Sequence, residues 1–268
     1  EELTRQFQSV YIYGLGASAS ELGAVNSVRG VASTATSLLT GLIADRYGLR
    51  AAFTAAMLFM ALGSLTLAAA GSWIVAAPAL LLFYLGLTMS ITACPVVCGA
   101  ALRDEERATG RGICDTVTAL PRLVSPLIAA QLVALFGGLN VDGIRPLYYV
   151  QAATLFAALL VALTLFEEPS RRRLVKPASR RSSSLESVVA VFTKGTAARR
   201  WVAVDSLSKI PQYVASNIYV PLYAAKIKGA DQFTLGLMAS AAALTPIIFS
   251  IPMGRLADSA GRKRVMYL

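Results

Sequence analysis

The feature that most constrains this chain is a run of 52 residues, 51–102, without a single charged side chain. A helix needs about 20 apolar residues to cross the hydrocarbon core of a bilayer, so this run is long enough for two membrane spans. Gly71-Ser72-Trp73 marks the turn between them, with Trp73 suited to the membrane interface. Only 15% of the residues are charged, against roughly 25% in soluble domains. The sequence therefore predicts an all-α membrane protein.

Further apolar segments continue this pattern along the chain. We predict spans at 22–44, 51–70, 74–102, 112–137, 146–166, 201–225 and 232–254, and the second half of a shortened span within 1–13. The intervening segment 167–200 carries nine basic residues within 171–200, which is typical of a cytoplasmic loop. Seventeen Lys and Arg residues fall on the side of this loop and three on the other. We expect a multi-pass protein of the cell membrane with this loop in the cytoplasm.

The turn after the second span is repeated near the end of the sequence. Gly41-Leu-Ile-Ala-Asp-Arg-Tyr-Gly-Leu-Arg50 returns, 213 residues later, as Gly254-Arg-Leu-Ala-Asp-Ser-Ala-Gly-Arg-Lys263. Internal repeats in a membrane protein indicate a transporter built from two halves. An even number of spans separates the copies, so both turns face the same side and the halves are parallel repeats. We predict six spans per half, divided as 1–168 for the first half, 169–200 for the basic cytoplasmic loop and 201–268 for the truncated second half.

The chemistry of the first copy can be stated from its residues. Asp45 lies at the C-terminal end of a helix, where the macrodipole disfavours an anion. It therefore needs a cationic partner, for which Arg46, Arg50 and Arg103 are the candidates. Gly48 suits the left-handed turn that ends such a helix. A signal that only fixes topology is the alternative interpretation of these charges.

The doubled motif resembles the signature loop of the major facilitator superfamily, and the basic central loop and six-plus-six span count are similar too. The resemblance implies a secondary active transporter that works by alternating access. It also implies that the motif clamps the two halves together on the inner side while the outside is open. The residues that we assign to this gate are Gly41, Asp45, Arg46, Gly48, Arg50, Gly254, Asp258, Gly261, Arg262 and Lys263.

Ionisable residues inside the membrane are candidates for function. Arg122 lies about 15 Å into its span at 1.5 Å per residue, and Arg29 and Arg5 also fall within predicted spans. Three arginines facing one cavity would suit an anionic substrate, and Asp115 is a candidate carrier of a coupling proton. The full set of cavity candidates is Arg5, Arg29, Asp115, Arg122, Gln212, Tyr213 and Asn217.

Composition narrows the function classes further. The chain has no histidine, and its three cysteines lack the spacing of a metal site, so we expect neither an enzyme nor a metal or other cofactor. The net charge of +10 is concentrated in the central loop, so we expect no nucleic acid partner. We expect the substrate to be an organic anion or a drug-like or metabolite compound that the protein exports. The alternative is the uptake of a sugar or other nutrient. A transporter-like sensor is the alternative of another class. Expected partners of this monomer are a small solute, the lipid bilayer and a coupling proton or sodium ion.

Overall fold

A computed structural model describes residues 2–101, 107–165, 199–200, 203–204, 206–207 and 219–260. Within these ranges the regular secondary structure is entirely helical. The helices are α1 (Gln8–Gly14), α2 (Ala19–Tyr47), α3 (Leu49–Ala69), α4 (Trp73–Ala101), α5 (Arg107–Leu135), α6 (Val141–Leu165), α7 (Tyr219–Lys226) and α8 (Gln232–Ala260).

Four of these helices contain stretches long and apolar enough to cross a membrane. The stretches are Arg50–Ala69, Trp73–Thr92, Val141–Thr164 and Gln232–Met253. Helices α2 and α5 are each 29 residues long, about 44 Å at 1.5 Å per residue, which exceeds the roughly 30 Å of a hydrocarbon core. Both are less apolar than those four helices, and both contribute polar side chains to a cavity: Asn26, Arg29 and Ser33 from α2, and Arg122 from α5.

Several predicted boundaries were wrong by a few residues. Helix α5 begins at Arg107, so part of the polar stretch after residue 102 is helical and not a loop. Helix α6 begins at Val141 and contains Pro146 within its first two turns. A membrane helix extends beyond the hydrocarbon core into the polar interface, so apolar runs mark the core and underestimate the helix. Of the predicted span at 201–225, the structure describes the end, Tyr219–Lys226. The central loop 169–200, apart from its last two residues, lies outside the described residues.

Helix α3 packs between α4 and α6, and arginines join the ends of the α3–α6 pair. Arg50, at the start of α3, donates to the carbonyl oxygen of Leu163 in the last turn of α6. At the opposite ends, Arg145 near the start of α6 donates to the carbonyl oxygen of Ala70, 3.1 Å away. Each guanidinium thus meets the negative C-terminal end of the partner helix, where a cation is stabilised.

Glycines allow α3 and α4 to approach at backbone distance. A Cβ atom added to Gly63 would lie 2.6 Å from the Phe83 amide nitrogen and 2.9 Å from the Ala79 carbonyl oxygen. A Cβ atom added to Gly86 would lie 2.8 Å from the Met60 nitrogen. Each glycine therefore faces the backbone of the opposite helix, the close packing that small residues permit between membrane helices.

The 213-residue repeat reappears in helix boundaries and turns. Helices α2 and α8 have 29 residues each, and both their first and their last residues differ by that offset. Gly16 and Gly229, also at that offset, both have positive φ, 98° and 65°. The residues preceding the two helices, Ser18 and Asp231, both bond to the third residue of the first turn. The repeat seen in the sequence is therefore also a repeat of local structure.

Helix α8 packs along α5. A Cβ atom added to Gly236 of α8 would lie 3.0 Å from the carbonyl oxygen of Pro126. One turn on, the Ser240 hydroxyl donates to the carbonyl oxygen of Leu123, 2.7 Å away. Helix α8 thus approaches two carbonyl groups of α5 closely, those of Leu123 and Pro126.

Candidate functional site

A cavity of about 310 Å³ lies among the N-terminal segment, α1, α2, α4 and α5. Three arginines line it, one from each of three segments: Arg5 before α1, Arg29 in α2 and Arg122 in α5. The structure therefore brings together the three arginines that the sequence singled out. Its remaining polar lining includes Gln8, Asn26, Ser33 and Thr88.

Arg122 lies near the middle of α5 and pairs with an acidic residue that the sequence analysis missed. Its Nε is 3.1 Å from Oε1 of Glu2, and Nη1 of Arg5 is 3.5 Å from the same oxygen. The Glu2 side chain is 18% exposed, whereas that of Arg122 is 46% exposed. Glu2 therefore bridges two arginines that still face the cavity. The three-residue spacing of Glu2 and Arg5 was the one sequence signal for such a pair, and it is weak because i,i+3 pairing is a property of helices and both residues precede α1.

Arg29 has an aromatic partner. Its Cζ lies 3.8 Å from the centroid of the Tyr84 ring in α4, a cation–π geometry. The Tyr84 hydroxyl donates to Oε1 of Gln8 at the start of α1, 2.7 Å away. Ser33 and Thr88 hydrogen-bond one turn farther along the same two helices, at 2.8 Å. Tyr84 thus fixes Arg29 by contacts that reach from α2 through α4 to α1.

A second cavity, of about 460 Å³, shares Arg5 and Arg122 with the first. Helices α7 and α8 supply its other wall, and most residues there are apolar. They include Val220, Pro221, Leu235, Met238, Ala242 and Ala243. The N-terminal segment, with Arg5 at its centre, therefore separates a polar cavity from an apolar one.

Two buried polar side chains, one next to Arg5 and one in the first turn of α1, have no hydrogen-bond partner within the described part of the chain. They are Gln6, through Nε2, and Ser9, through Oγ. Gln6 is 6% exposed and lines the second cavity, and Ser9 is 4% exposed and lines the first. Buried polar groups are usually hydrogen-bonded. The Gln6 amide and the Ser9 hydroxyl are therefore exceptions, donors that lack an acceptor among the described residues.

The described residues among those assigned to the gate lie in or just after the last turns of α2 and α8, at the ends that the sequence predicts to face the cytoplasm. Gly41, Asp45 and Arg46 belong to the last turns of α2, and Gly254 and Asp258 to those of α8. Gly48 follows α2 with φ 93°, a conformation that favours glycine, as the sequence predicts. Arg50 bonds to Leu163 of α6, as described above.

The remaining candidates are less completely placed. Asp115 belongs to α5, and the structure describes its backbone but not its side chain. Six further candidates lie outside the described residues: Gln212, Tyr213 and Asn217, and, after α8, Gly261, Arg262 and Lys263. Among the described residues, no group of three His, Cys, Asp or Glu side chains is placed to hold a metal ion.

Comparison with known proteins identifies the family. The Major Facilitator Superfamily model matches residues 7–268, which include all eight helices and both copies of the repeated turn. A search of curated proteins found no match. Together, the all-helical fold, the apolar helices and this match show that the chain belongs to the major facilitator superfamily of membrane transporters.

Proposed function

We propose that this transporter carries an organic anion across the cell membrane by alternating access, driven by a proton or sodium gradient. The observation that supports the anion is the placement of Arg5, Arg29 and Arg122 along one cavity. Among the described residues that line the two cavities, Glu2 is the one acidic side chain. The lining therefore carries more positive than negative charge.

An unbalanced cation is costly in a membrane interior, and a bound anion would remove that cost. A guanidinium group presents planar N–H donors that match a carboxylate or phosphate in a bidentate manner. A neutral sugar would satisfy hydrogen bonds but would leave the excess charge uncompensated. The charge of the lining thus favours an anion over the sugar alternative.

The repeated turns support the alternating-access part of the proposal. They follow α2 and α8, two helices of equal length at equivalent positions of the repeat. In our proposal both turns face the cytoplasm with the basic central loop, and they close the inner side when the outer side is open. In this proposal the half predicted at 1–168 rocks against the second half, of which 201–268 is the predicted start.

Counterflow in proteoliposomes tests the anion assignment. The protein is reconstituted with a panel of organic anions, sugars and cationic drugs inside, and exchange of labelled solute is measured. Arg122→Gln removes one cavity charge without removing hydrogen-bonding capacity. Lys228→Gln is the matched control because it removes one positive charge in the exposed turn between α7 and α8, outside both cavities.

We expect exchange with organic anions, and an increase in KM of roughly 10-fold or more in Arg122→Gln. That factor corresponds to the loss of a charge-assisted hydrogen bond of about 1.5–3 kcal/mol. Lys228→Gln retains the wild-type KM. Exchange with sugars alone, or an unchanged KM for anions in Arg122→Gln, would refute the anion assignment, and the absence of exchange with every class would favour the sensor.

A further inference from the structure

We infer that the transported anion is amphipathic: its acidic head binds at Arg5 and Arg122, and its apolar body occupies the second cavity against α7 and α8. This inference rests on the proposed function and specifies the substrate class. It goes beyond the anion assignment because it concerns the uncharged part of the molecule.

The position of the head follows from the two shared arginines. Arg5 and Arg122 line both cavities, and Arg29 lines the first one alone. Glu2 contacts both shared arginines through a single oxygen atom, Oε1. An incoming acid group therefore meets two guanidinium groups at the junction of the cavities, where it replaces Glu2 as their anionic partner.

The unpartnered donors lie on either side of this junction. Gln6, whose Nε2 has no partner among the described residues, follows Arg5 directly and lines the second cavity. Ser9, whose Oγ has none, belongs to the first turn of α1 and lines the first cavity. A head group with several acceptor oxygens, such as a carboxylate, sulfonate or phosphate, supplies acceptors to these donors and to the arginines at once. The donors thus add hydrogen bonds to the charge attraction.

The position of the apolar body follows from the difference between the two cavities. The first is lined beside its arginines by Gln8, Asn26, Ser33 and Thr88. The second is lined beyond Gln6 and the charged residues by aliphatic, proline and methionine side chains of α7 and α8. A volume of about 460 Å³ lies within the roughly 300–1,000 Å³ of small-molecule pockets. Because apolar surface is stabilised out of water, an apolar body is favoured there.

Alkylsulfonates test this inference because they stay ionised at neutral pH and differ only in chain length. The purified protein in nanodiscs is titrated with methanesulfonate through octanesulfonate by calorimetry. We expect Kd to fall with each added methylene, by up to about fourfold for a fully buried one. A Kd that does not change with chain length would overturn the inference while leaving the anion proposal intact. Failure of every sulfonate to bind would overturn both.

Two variants localise the chain and the head. Ala242→Leu fills part of the second cavity, and Ala241→Leu is its matched control at a neighbouring position of α8 that does not line either cavity. We expect Ala242→Leu to weaken octanesulfonate binding by 10-fold or more with little effect on methanesulfonate, and Ala241→Leu to change neither. Gln6→Ala is expected to weaken the binding of alkylsulfonates of every chain length by a similar factor. Equal effects of the two leucine variants on octanesulfonate binding would contradict the assigned position of its alkyl chain.

Discussion

The three cavity arginines are stabilised in different ways, and the difference bears on what they do. Arg5 and Arg122 share one carboxylate oxygen of Glu2, so the proposed substrate anion would compete with that carboxylate. Arg29 instead rests on the ring of Tyr84. A stacking contact uses the face of the guanidinium, whereas the five N–H donors lie in its plane. Tyr84 therefore holds Arg29 in position without occupying the donors that would bind an anion.

Two substitutions at Tyr84 distinguish the effect of its ring contact with Arg29 from that of its hydrogen bond to Gln8. Tyr84→Phe keeps the ring beneath Arg29 and removes the bond to Gln8, while Tyr84→Leu removes both. We expect a KM increase of about two- to tenfold in Tyr84→Phe, in line with roughly 0.5–1.5 kcal/mol for one hydrogen bond, and a larger increase in Tyr84→Leu. Anion counterflow measures both values.

The neighbouring Phe83 provides a comparison, since its ring packs against α3 and does not line either cavity. Phe83→Leu is expected to lower stability without a specific change in KM. An unchanged KM in Tyr84→Leu would show that Tyr84 does not position Arg29 for the substrate.

Residue type and depth were sufficient to identify the arginines from the sequence, because a charge within an apolar span is unusual wherever the helices pack. The partners were not identifiable in the same way. Tyr84 lies in a long uncharged run and differs from its aromatic neighbours only through what it contacts. Glu2 belongs to a short polar segment whose fold depends on contacts with α5. Such pairings are properties of tertiary structure.

At the scale of the helices, the close approach of α3 and α4 depends on two glycines. We expect Gly63→Ala and Gly86→Ala each to lower stability by about 1–3 kcal/mol, the usual cost of overpacking, because the added methyl group meets opposing backbone. Gly30→Ala is the control, since its added Cβ has no neighbour within 4 Å, and we expect equal or higher stability. Thermal unfolding in detergent compares the three; equal melting temperatures would contradict the described packing.

The start of α8 is sensitive to pH through its cap. Asp231 Oδ1 accepts from the Thr234 hydroxyl at 2.6 Å and from the Thr234 amide at 2.8 Å. These bonds hold the pKa of Asp231 below its usual value. A lowered folded-state pKa stabilises the fold above the pKa of the unfolded chain, and this contribution is lost as the pH falls through the folded-state value.

Asp231→Asn tests this dependence because asparagine caps a helix about as well as aspartate and does not titrate. We expect the wild type to lose stability relative to the variant as the pH falls below the usual aspartate value of about 3.9. Melting temperatures measured across that range check it. A difference between the two proteins that stays constant with pH would rule out the titration of Asp231 as its source.

The helices themselves were largely predictable, since a long apolar run in a membrane has few alternatives to a helix. Their ends were not, because the turns of α5 and α6 beyond the apolar core resemble loop sequence. The packing partner of each helix could not be predicted either. The sequence shows that α3 is apolar but not that Arg50 and Arg145 join it to α6.

For the whole molecule, the orientation in the membrane remains a prediction from the distribution of basic residues. Single cysteines at Gly71, in the turn between α3 and α4, and at Ser259, in the last turn of α8, test it in a protein whose three native cysteines are replaced. Both positions are exposed. We expect an impermeant maleimide added to intact cells to label the cysteine at 71, and the one at 259 only after permeabilisation. The reverse pattern would place the repeated turns outside.

The packing of α5 against α8 has a consequence for how the polypeptide is assembled. Leu123 and Ser240 meet across this contact although 117 residues separate them in sequence. Because helix surfaces make this contact, we expect the two parts to associate without a peptide connection between them. Two separately translated pieces, divided within 169–198, are expected to find each other in the bilayer and reconstitute one carrier.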